Sequence, residues 1–322
     1  STNKWTTSGV MSMTHIFHTA TLLKSGKVLV CGSGGYTGYR SECELYNPTT
    51  GQWTAAASMS IPRGFHTATL LKSGKVLVAG GTTFNSQVLY TSELYDPIQN
   101  KWTFAGNLTV PRSGHTATLL QSGKVLVSSD GSNSEIYDPI KGEWGSLVTM
   151  ESYSRYTPTA TLLSSGKVVV VGGLEIAVYS PTSIIYDPLT NQWESAGNLT
   201  VGRSRHASIL LKTGEVLTTG GVGLTDFLDS CELFDPTTNQ WKNAEKMSEE
   251  RSSHTLIALK SGKILAIGGY GYTGYLDTSE LYDSTTGQWS SSTKLSTPRS
   301  SHTATLLNSG QVLIAGGEHQ GF

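Results

Sequence analysis

The stretch His66–Gly81, HTATLLKSGKVLVAGG, and the stretch Ser92–Trp102, SELYDPIQNKW, decide the fold, because both phrases return along the whole chain. The seven tryptophans, Trp5, Trp53, Trp102, Trp144, Trp193, Trp241 and Trp289, stand 48 or 49 residues apart except for one interval of 42. A second marker runs in parallel at His18, His66, His115, Pro158, His206, His254 and His302. Two residue types keeping one period define a repeated structural unit.

Each unit reads as four strands. A run such as Thr67–Leu71 turns at Ser73-Gly74 into a second run, Val76–Val78. Ser-Gly or Thr-Gly recurs at that turn in all seven copies, where the backbone needs a positive φ that glycine reaches without a Cβ clash. Five copies close the second strand with Gly-Gly, where a missing side chain lets neighbouring backbones approach. The third strand, Ser92–Tyr95, stops at Asp96-Pro97, because proline has no N–H to continue a ladder, and Trp102 opens the fourth. The first two strands are apolar at nearly every position and so need cover on both faces, while the outer two alternate with polar residues. Four-stranded blades stacked face to face around an axis meet that need.

Gly-Gly, Tyr-Asp-Pro and Trp at a period near 48 resemble the Kelch repeat over essentially the full chain. The expected fold is all-β: a seven-bladed β-propeller of four-stranded Kelch-type blades, in one domain over residues 1–322. The expected blades are 14–58, 62–107, 111–149, 154–198, 203–246, 251–294, and 299–322 together with 1–8. Residues 1–5, STNKW, match the Trp-bearing fourth strand, so this N-terminal strand is expected to join the C-terminal blade and hide its edge. No SELYDP-like strand follows Gly317, so the last blade is expected to lack one strand or to belong to a longer chain.

Composition limits the partners. Charged residues make 15% of the chain, against roughly 25% in an ordinary globular protein, and the 36 glycines exceed the usual ~7% share. A formal charge of -1 gives no long-range field for nucleic acid or an anionic membrane, and no apolar run approaches the ~18 residues of a membrane span. Three cysteines exclude a disulfide framework; Cys31 and Cys43 lie in adjacent strands of one blade and could bridge, though free buried thiols are the expectation. The sequons Asn107-Leu108-Thr109 and Asn198-Leu199-Thr200, with the scarcity of charge, favour an extracellular or secreted setting over a cytoplasmic one.

Three residues before the histidine marker stand Arg63, Arg112, Arg155, Arg203, Arg251 and Arg299, with His15 in the first unit. These cations either pair with backbone carbonyls and acids such as Glu93 or Glu280, or rim the central channel as an anion-attracting mouth. The repeated histidines are expected to be buried and neutral, too far apart around a ring to share one metal at ~2 Å.

Variation concentrates between the second and third strands. The first unit carries Tyr36, Tyr39 and Arg40 there, and the sixth carries the near copy Tyr270, Tyr272 and Tyr275. Together with His319, Arg63 and Arg299 these residues form the candidate ligand-binding set, because tyrosine offers a flat apolar face, a polar tip and little rotamer entropy to lose. Other loops add Phe84, Tyr90, Glu175, Tyr179, Asp226, Phe227 and Asp229 without a shared chemistry.

The expected function is a non-catalytic scaffold presenting a loop face to a protein, peptide or glycan, with no cofactor, no metal and no catalytic residue assigned. The resemblance also implies an alternative, since galactose-oxidase-like members act on sugars with copper, a cross-linked Cys-Tyr and paired His and Tyr ligands. That set has no evident counterpart here, although an isomerase or lyase using Arg with Glu175, Glu318 or His319 at the channel mouth has the residue types it needs.

Overall fold

A computed structural model describes residues 4–34, 38–128, 133–150 and 155–320. Its contacts divide the chain into two compact units: Ser8–Tyr153 with Thr303–Gly317, and Ser1–Thr7 with Ser154–His302 and Glu318–Phe322. Both are built from one element, the antiparallel four-stranded meander of a propeller blade.

The first unit holds three such sheets. Sheet 1 comprises Thr19–Leu22, Val28–Ser33, Arg40–Asn47 and Gln52–Ala56; sheet 2 comprises Thr67–Leu70, Val76–Ala79, Thr91–Asp96 and Lys101–Asn107. Sheet 3 runs through Thr116–Leu119, Val125–Ser128, Asn133–Asp138 and Glu143–Trp144, with Val148–Thr149 added to its third strand. The hairpin Thr303–Leu306/Val312–Ala315 completes this unit. The second unit holds sheet 4 (Thr159–Leu162, Val168–Val171, Thr182–Asp187, Gln192–Asn198), sheet 5 (Ala207–Leu210, Val216–Thr219, Cys231–Asp235, Gln240–Ala244) and sheet 6 (Thr255–Ala258, Ile264–Ile267, Ser279–Asp283, Gln288–Ser291). Among the described residues the one helical element is the 3₁₀ turn Phe84–Ser86.

Among the described residues six full blades form, where the repeat count leads one to expect seven. The last repeat contributes only its first two strands, and residues 4–8 enter no ladder. A fourth strand pairs through a third, and no third-strand phrase follows Gly317.

The apolar run of each second strand has a plain cause. Leu29 and Cys31 pack toward Val76, Val78 and Tyr95 of sheet 2, while Val28 and Val30 pack toward Leu307, Leu313 and Ala315 of the hairpin. Alternate residues face two different neighbours, so no position is left to water. The same layering joins sheets 4 to 5 and 5 to 6. In each of the six sheets the tryptophan lies against the tyrosine or phenylalanine opposite it in register, from Tyr46–Trp53 at 5.0 Å to Phe234–Trp241 at 5.2 Å between ring centroids. The indole N–H then reaches the preceding sheet: Trp102 donates to Ala57 O at 2.8 Å and Trp289 to Glu245 O at 3.0 Å. Trp5 donates to Thr293 O at 2.9 Å, so it stands to sheet 6 as Trp289 stands to sheet 5.

Backbone links run between blades at the ends of the second strands. Ser33 N donates to Arg63 O, Gly81 N to Arg112 O and Gly317 N to His15 O at 2.7–3.1 Å, and Gly221 N to Arg251 O and Gly269 N to Arg299 O at 2.8–2.9 Å. The first residue of each Gly-Gly pair makes this approach possible. Gly80 sits at φ 61°, and a Cβ there would fall 2.4 Å from Arg112 O.

Cys31 and Cys43, expected as free thiols, form a disulfide. They are directly opposed in the register of sheet 1 with Cα atoms 4.2 Å apart, within bridging reach, whereas Cys231 faces Thr219.

Gly80→Ala should lower stability by roughly 2–4 kcal/mol, because it combines left-handed backbone with a clash against a carbonyl. Gly214→Ala, at φ 92° in a hairpin turn with open space around it, should cost only about 1 kcal/mol. Urea unfolding of the two variants checks the contrast, and equal losses would refute the role given to the inter-blade approach.

Candidate functional site

The repeated arginines are the first candidate, and the structure places them inside. Arg63 has no exposed surface; its guanidinium donates to Gly80 O at 2.7 Å, Thr91 O at 3.0 Å and Glu93 Oε1 at 2.9 Å. Arg112 meets Glu135 at 3.1 Å, Arg203 meets Glu232 at 2.8 Å and Arg251 meets Glu280 at 2.8 Å. Burial pulls the Arg63 and Arg203 guanidinium groups below their ordinary range, and the facing carboxylates oppose that pull. The glutamates also fasten the loop ahead of each arginine, as where Glu93 Oε2 accepts from Ser60 N at 2.8 Å.

Two departures show what the pair is for. In sheet 4 the third strand places Ile184 where Glu93 stands in sheet 2, and Arg155 instead meets Glu175, from the loop ribbon Leu174–Glu175/Val178–Tyr179, at 3.2 Å. In sheet 1 His15 stands in the arginine's place, with Nδ1 2.7 Å from Gly32 O and Nε2 3.0 Å from Glu44 Oε2. Arg299 is partly buried and its Nε donates to Thr297 O at 3.4 Å. A guanidinium with no surface offers a ligand no contact, so for Arg63 the geometry favours the structural alternative.

The repeated histidines follow the arginines into the interior. His66 Nε2 lies 3.0 Å from Thr19 Oγ1, His115 Nε2 3.0 Å from Thr67 Oγ1, and His302 Nε2 3.0 Å from Thr255 Oγ1. Burial first, and the nearby arginine second, push the pKa values of His115, His206 and His302 down to about 3. Among the described residues no three His, Cys, Asp or Glu side chains are grouped to hold a metal ion.

The variable loops carry what remains exposed. In the first unit Tyr39 lies edge-on to Phe84, 5.8 Å away in the corresponding loop of sheet 2, and Phe84 is 55% exposed. Arg40, beside Tyr39, directs Nη1 at Met13 Sδ, 3.8 Å away. Tyr36 lies outside the described residues.

In the second unit the loop of sheet 6 folds into the small ribbon Tyr270–Gly271/Gly274–Tyr275, and its tyrosines meet the loop of sheet 5. Phe227 touches Tyr272 at 5.3 Å and Tyr270 at 5.7 Å, and Tyr270 touches Tyr275 at 5.1 Å, all edge to face. Tyr272 is 62% exposed and Tyr270 39%, so this cluster is a surface and not a core. Carboxylates border it. The Tyr272 hydroxyl donates to Asp226, and Glu250 Oε1 accepts from Tyr272 N at 3.1 Å. The bond to Asp226 raises the Tyr272 phenol above its ordinary pKa and lowers that of Asp226. His319 lies in the same unit, its Nδ1 3.0 Å from Gln320 O, and Glu318 bridges to Ser300 with its carboxyl raised by burial against the pull of Arg205. The sequence reading names Asp226 and Phe227 but finds no shared chemistry in them, because nothing in a single loop shows which neighbouring loop it will touch.

The comparisons agree with this architecture. The KLHDC2/KLHL20/DRC7 Kelch-repeats domain model matches residues 127–317, more than half of the chain, and the Kelch motif matches residues 63–109. The chain belongs to the Kelch-repeat family of β-propellers. Among solved structures it is similar to a novel fungal alcohol oxidase of the AA5 family in complex with copper, at 21% identity and a TM-score of 0.79, covering 98% of this chain and 72% of that one. It is also similar to YjhT, at 15% identity and a TM-score of 0.68, covering 88% of this chain and 98% of that one. At these identities the likeness is one of fold. The search of curated proteins found no match.

Arg63→Met should cost about 3–5 kcal/mol by leaving Glu93 buried without its cation. A loss under 1 kcal/mol in urea unfolding would show that the pair is dispensable. The histidines give a pH dependence of definite sign. Their folded pKa values lie below the unfolded value near 6.5, so their contribution is complete above about pH 6.5 and declines as pH falls toward 3. His115→Gln should flatten the slope of stability against pH between 6 and 4 by up to about 1.4 kcal/mol per pH unit. An unchanged slope would mean that His115 takes up its proton without unfolding.

Proposed function

We propose that this chain is a non-catalytic Kelch-type binding scaffold that presents its loop face to a protein, peptide or glycan. One observation carries the reading: Phe227, Tyr270, Tyr272 and Tyr275 gather at an exposed surface with carboxylates at their edge, while Arg63, Arg112, Arg155, Arg203 and Arg251 and the repeated histidines are buried in the interior. Rigid aromatic rings give large contact area with little ordering entropy, which suits recognition. Tyr39 and Phe84 offer a second aromatic pair of the same kind. An extracellular setting is supported by the Cys31–Cys43 disulfide and by the exposure of both sequon asparagines, Asn107 and Asn198.

The fungal neighbour is an alcohol oxidase in complex with copper, which makes an oxidase the second reading. The placement of the repeat histidines favours the scaffold reading over it. The histidines of the repeat face threonine hydroxyls of other strands, and no cluster of three His, Cys, Asp or Glu occurs among the described residues.

Glycan and peptide arrays probed with the purified chain, followed by calorimetry on the hits, test the scaffold reading. The double variant Tyr272→Ala/Tyr275→Ala should weaken a confirmed ligand at least tenfold with the unfolding midpoint held. Unchanged affinity would remove the site, and stoichiometric copper with alcohol turnover would remove the scaffold reading itself.

A further inference from the structure

Resting on the binding reading above, we infer that the aromatic cluster of sheets 5 and 6 recognises a lysine side chain of a peptide partner. Shape is the first argument. Phe227 stands at 85° to Tyr272 and at 61° to Tyr270, and Tyr270 stands at 81° to Tyr275. Steeply crossed rings make corners and offer no flat platform. A sugar ring stacks best on a broad face parallel to its own, whereas a compact ammonium is attracted to any ring face within about 6 Å and gains from two faces at once.

Charge is the second argument. The two loops, Gly220–Ser230 and Gly268–Thr278, contain no Lys or Arg, and they carry Asp226, Asp229 and Asp277. Asp229 and Asp277 are matched by Lys246 and Lys294 at 3.0 and 3.1 Å. Asp226 and Glu250 instead accept bonds from neutral groups, the Tyr272 hydroxyl, Thr225 Oγ1 and Tyr272 N. A carboxylate has about four acceptor sites, so each keeps capacity for an incoming donor. The Arg251 guanidinium of the adjoining segment is engaged elsewhere, buried against Glu280. Crossed π faces bordered by negative charge complement a cation. The corresponding pair in the other unit, Tyr39 with Phe84, has Arg40 next to it and lacks that complementarity.

The test is calorimetry on the full chain with three probes: an unstructured Gly-Ser peptide bearing four spaced lysines, the same peptide fully N-acetylated on those lysines, and maltohexaose. The lysine peptide should bind, and acetylation should weaken it at least tenfold. Asp226→Asn and Phe227→Leu should each weaken the lysine peptide threefold or more with the unfolding midpoint held. Equal binding of the acetylated peptide, or binding of maltohexaose alone, would overturn the lysine assignment while leaving the scaffold reading standing. Lysine-peptide binding that ignores both substitutions would place recognition elsewhere and overturn it too. Silence from all three probes also overturns it, while the array experiment decides the scaffold reading separately.

Discussion

The structure depends on one close approach, in which, among the described residues, Ser33, Gly81, Gly173, Gly221, Gly269 and Gly317 at the ends of second strands each donate a backbone hydrogen bond to the carbonyl of the residue that opens the next repeat. At Gly80 and Gly220 a single methyl group would stand 2.4 and 2.3 Å from that carbonyl. The same contact fixes the arginine whose carbonyl accepts the bond. Its guanidinium then turns into its own blade, to a glycine carbonyl and a glutamate, as Arg203 does with Gly220 O and Glu232. Backbone spacing, buried charge and the histidine three residues later are therefore consequences of one geometry. The variable loops start where that geometry ends, so they inherit a rigid base.

The buried pairs need an explanation, since an Arg–Glu pair in a dry interior gains little over a well-packed apolar one. Sheet 4 supplies a useful contrast. There the glutamate's place is taken by Ile184, yet Arg155 still meets a carboxylate, because Glu175 arrives from a different strand. Sheet 1 varies the other partner, with His15 in the cation's place and Glu44 retained. The position of either partner changes while the pairing persists. Where the glutamate stands on the third strand, its carboxylate also accepts from backbone N–H groups of the loop before the first strand, as Glu93 does from Ser60 N and Glu280 from Ser248 N.

Much of this was legible in the residues. Trp and His keeping one period near 48 announce a repeat, and apolar runs too continuous for a one-sided sheet announce blades covered on both faces. The pairing of Arg63 with Glu93 and of Arg251 with Glu280 follows from their fixed places in each unit. Two things were hidden. The disulfide turned on register, since Cys31 and Cys43 bridge only because they are direct partners across neighbouring strands, which strand order alone does not give. The aromatic cluster turned on contact between loops of successive blades. Tyr270, Tyr272 and Tyr275 were visible as a motif, but Phe227 and Asp226 acquire meaning only once the loop of sheet 5 lies against that of sheet 6.

That last point reaches beyond this chain. A repeat makes its conserved chemistry easy to read and thereby draws attention to the residues least able to act. Arg63 and His115 recur with the repeat, and both are buried with neighbouring strands as their partners. Recognition needs asymmetry, which a perfect repeat does not have. Here the asymmetry lies in loops that differ from unit to unit, where two adjacent copies bring unlike residues together, an aromatic and an acid from one and three tyrosines from the next. In such a propeller, the informative comparison is between neighbouring loops at the same position, since contact across the blade boundary is where individual residues combine into a surface.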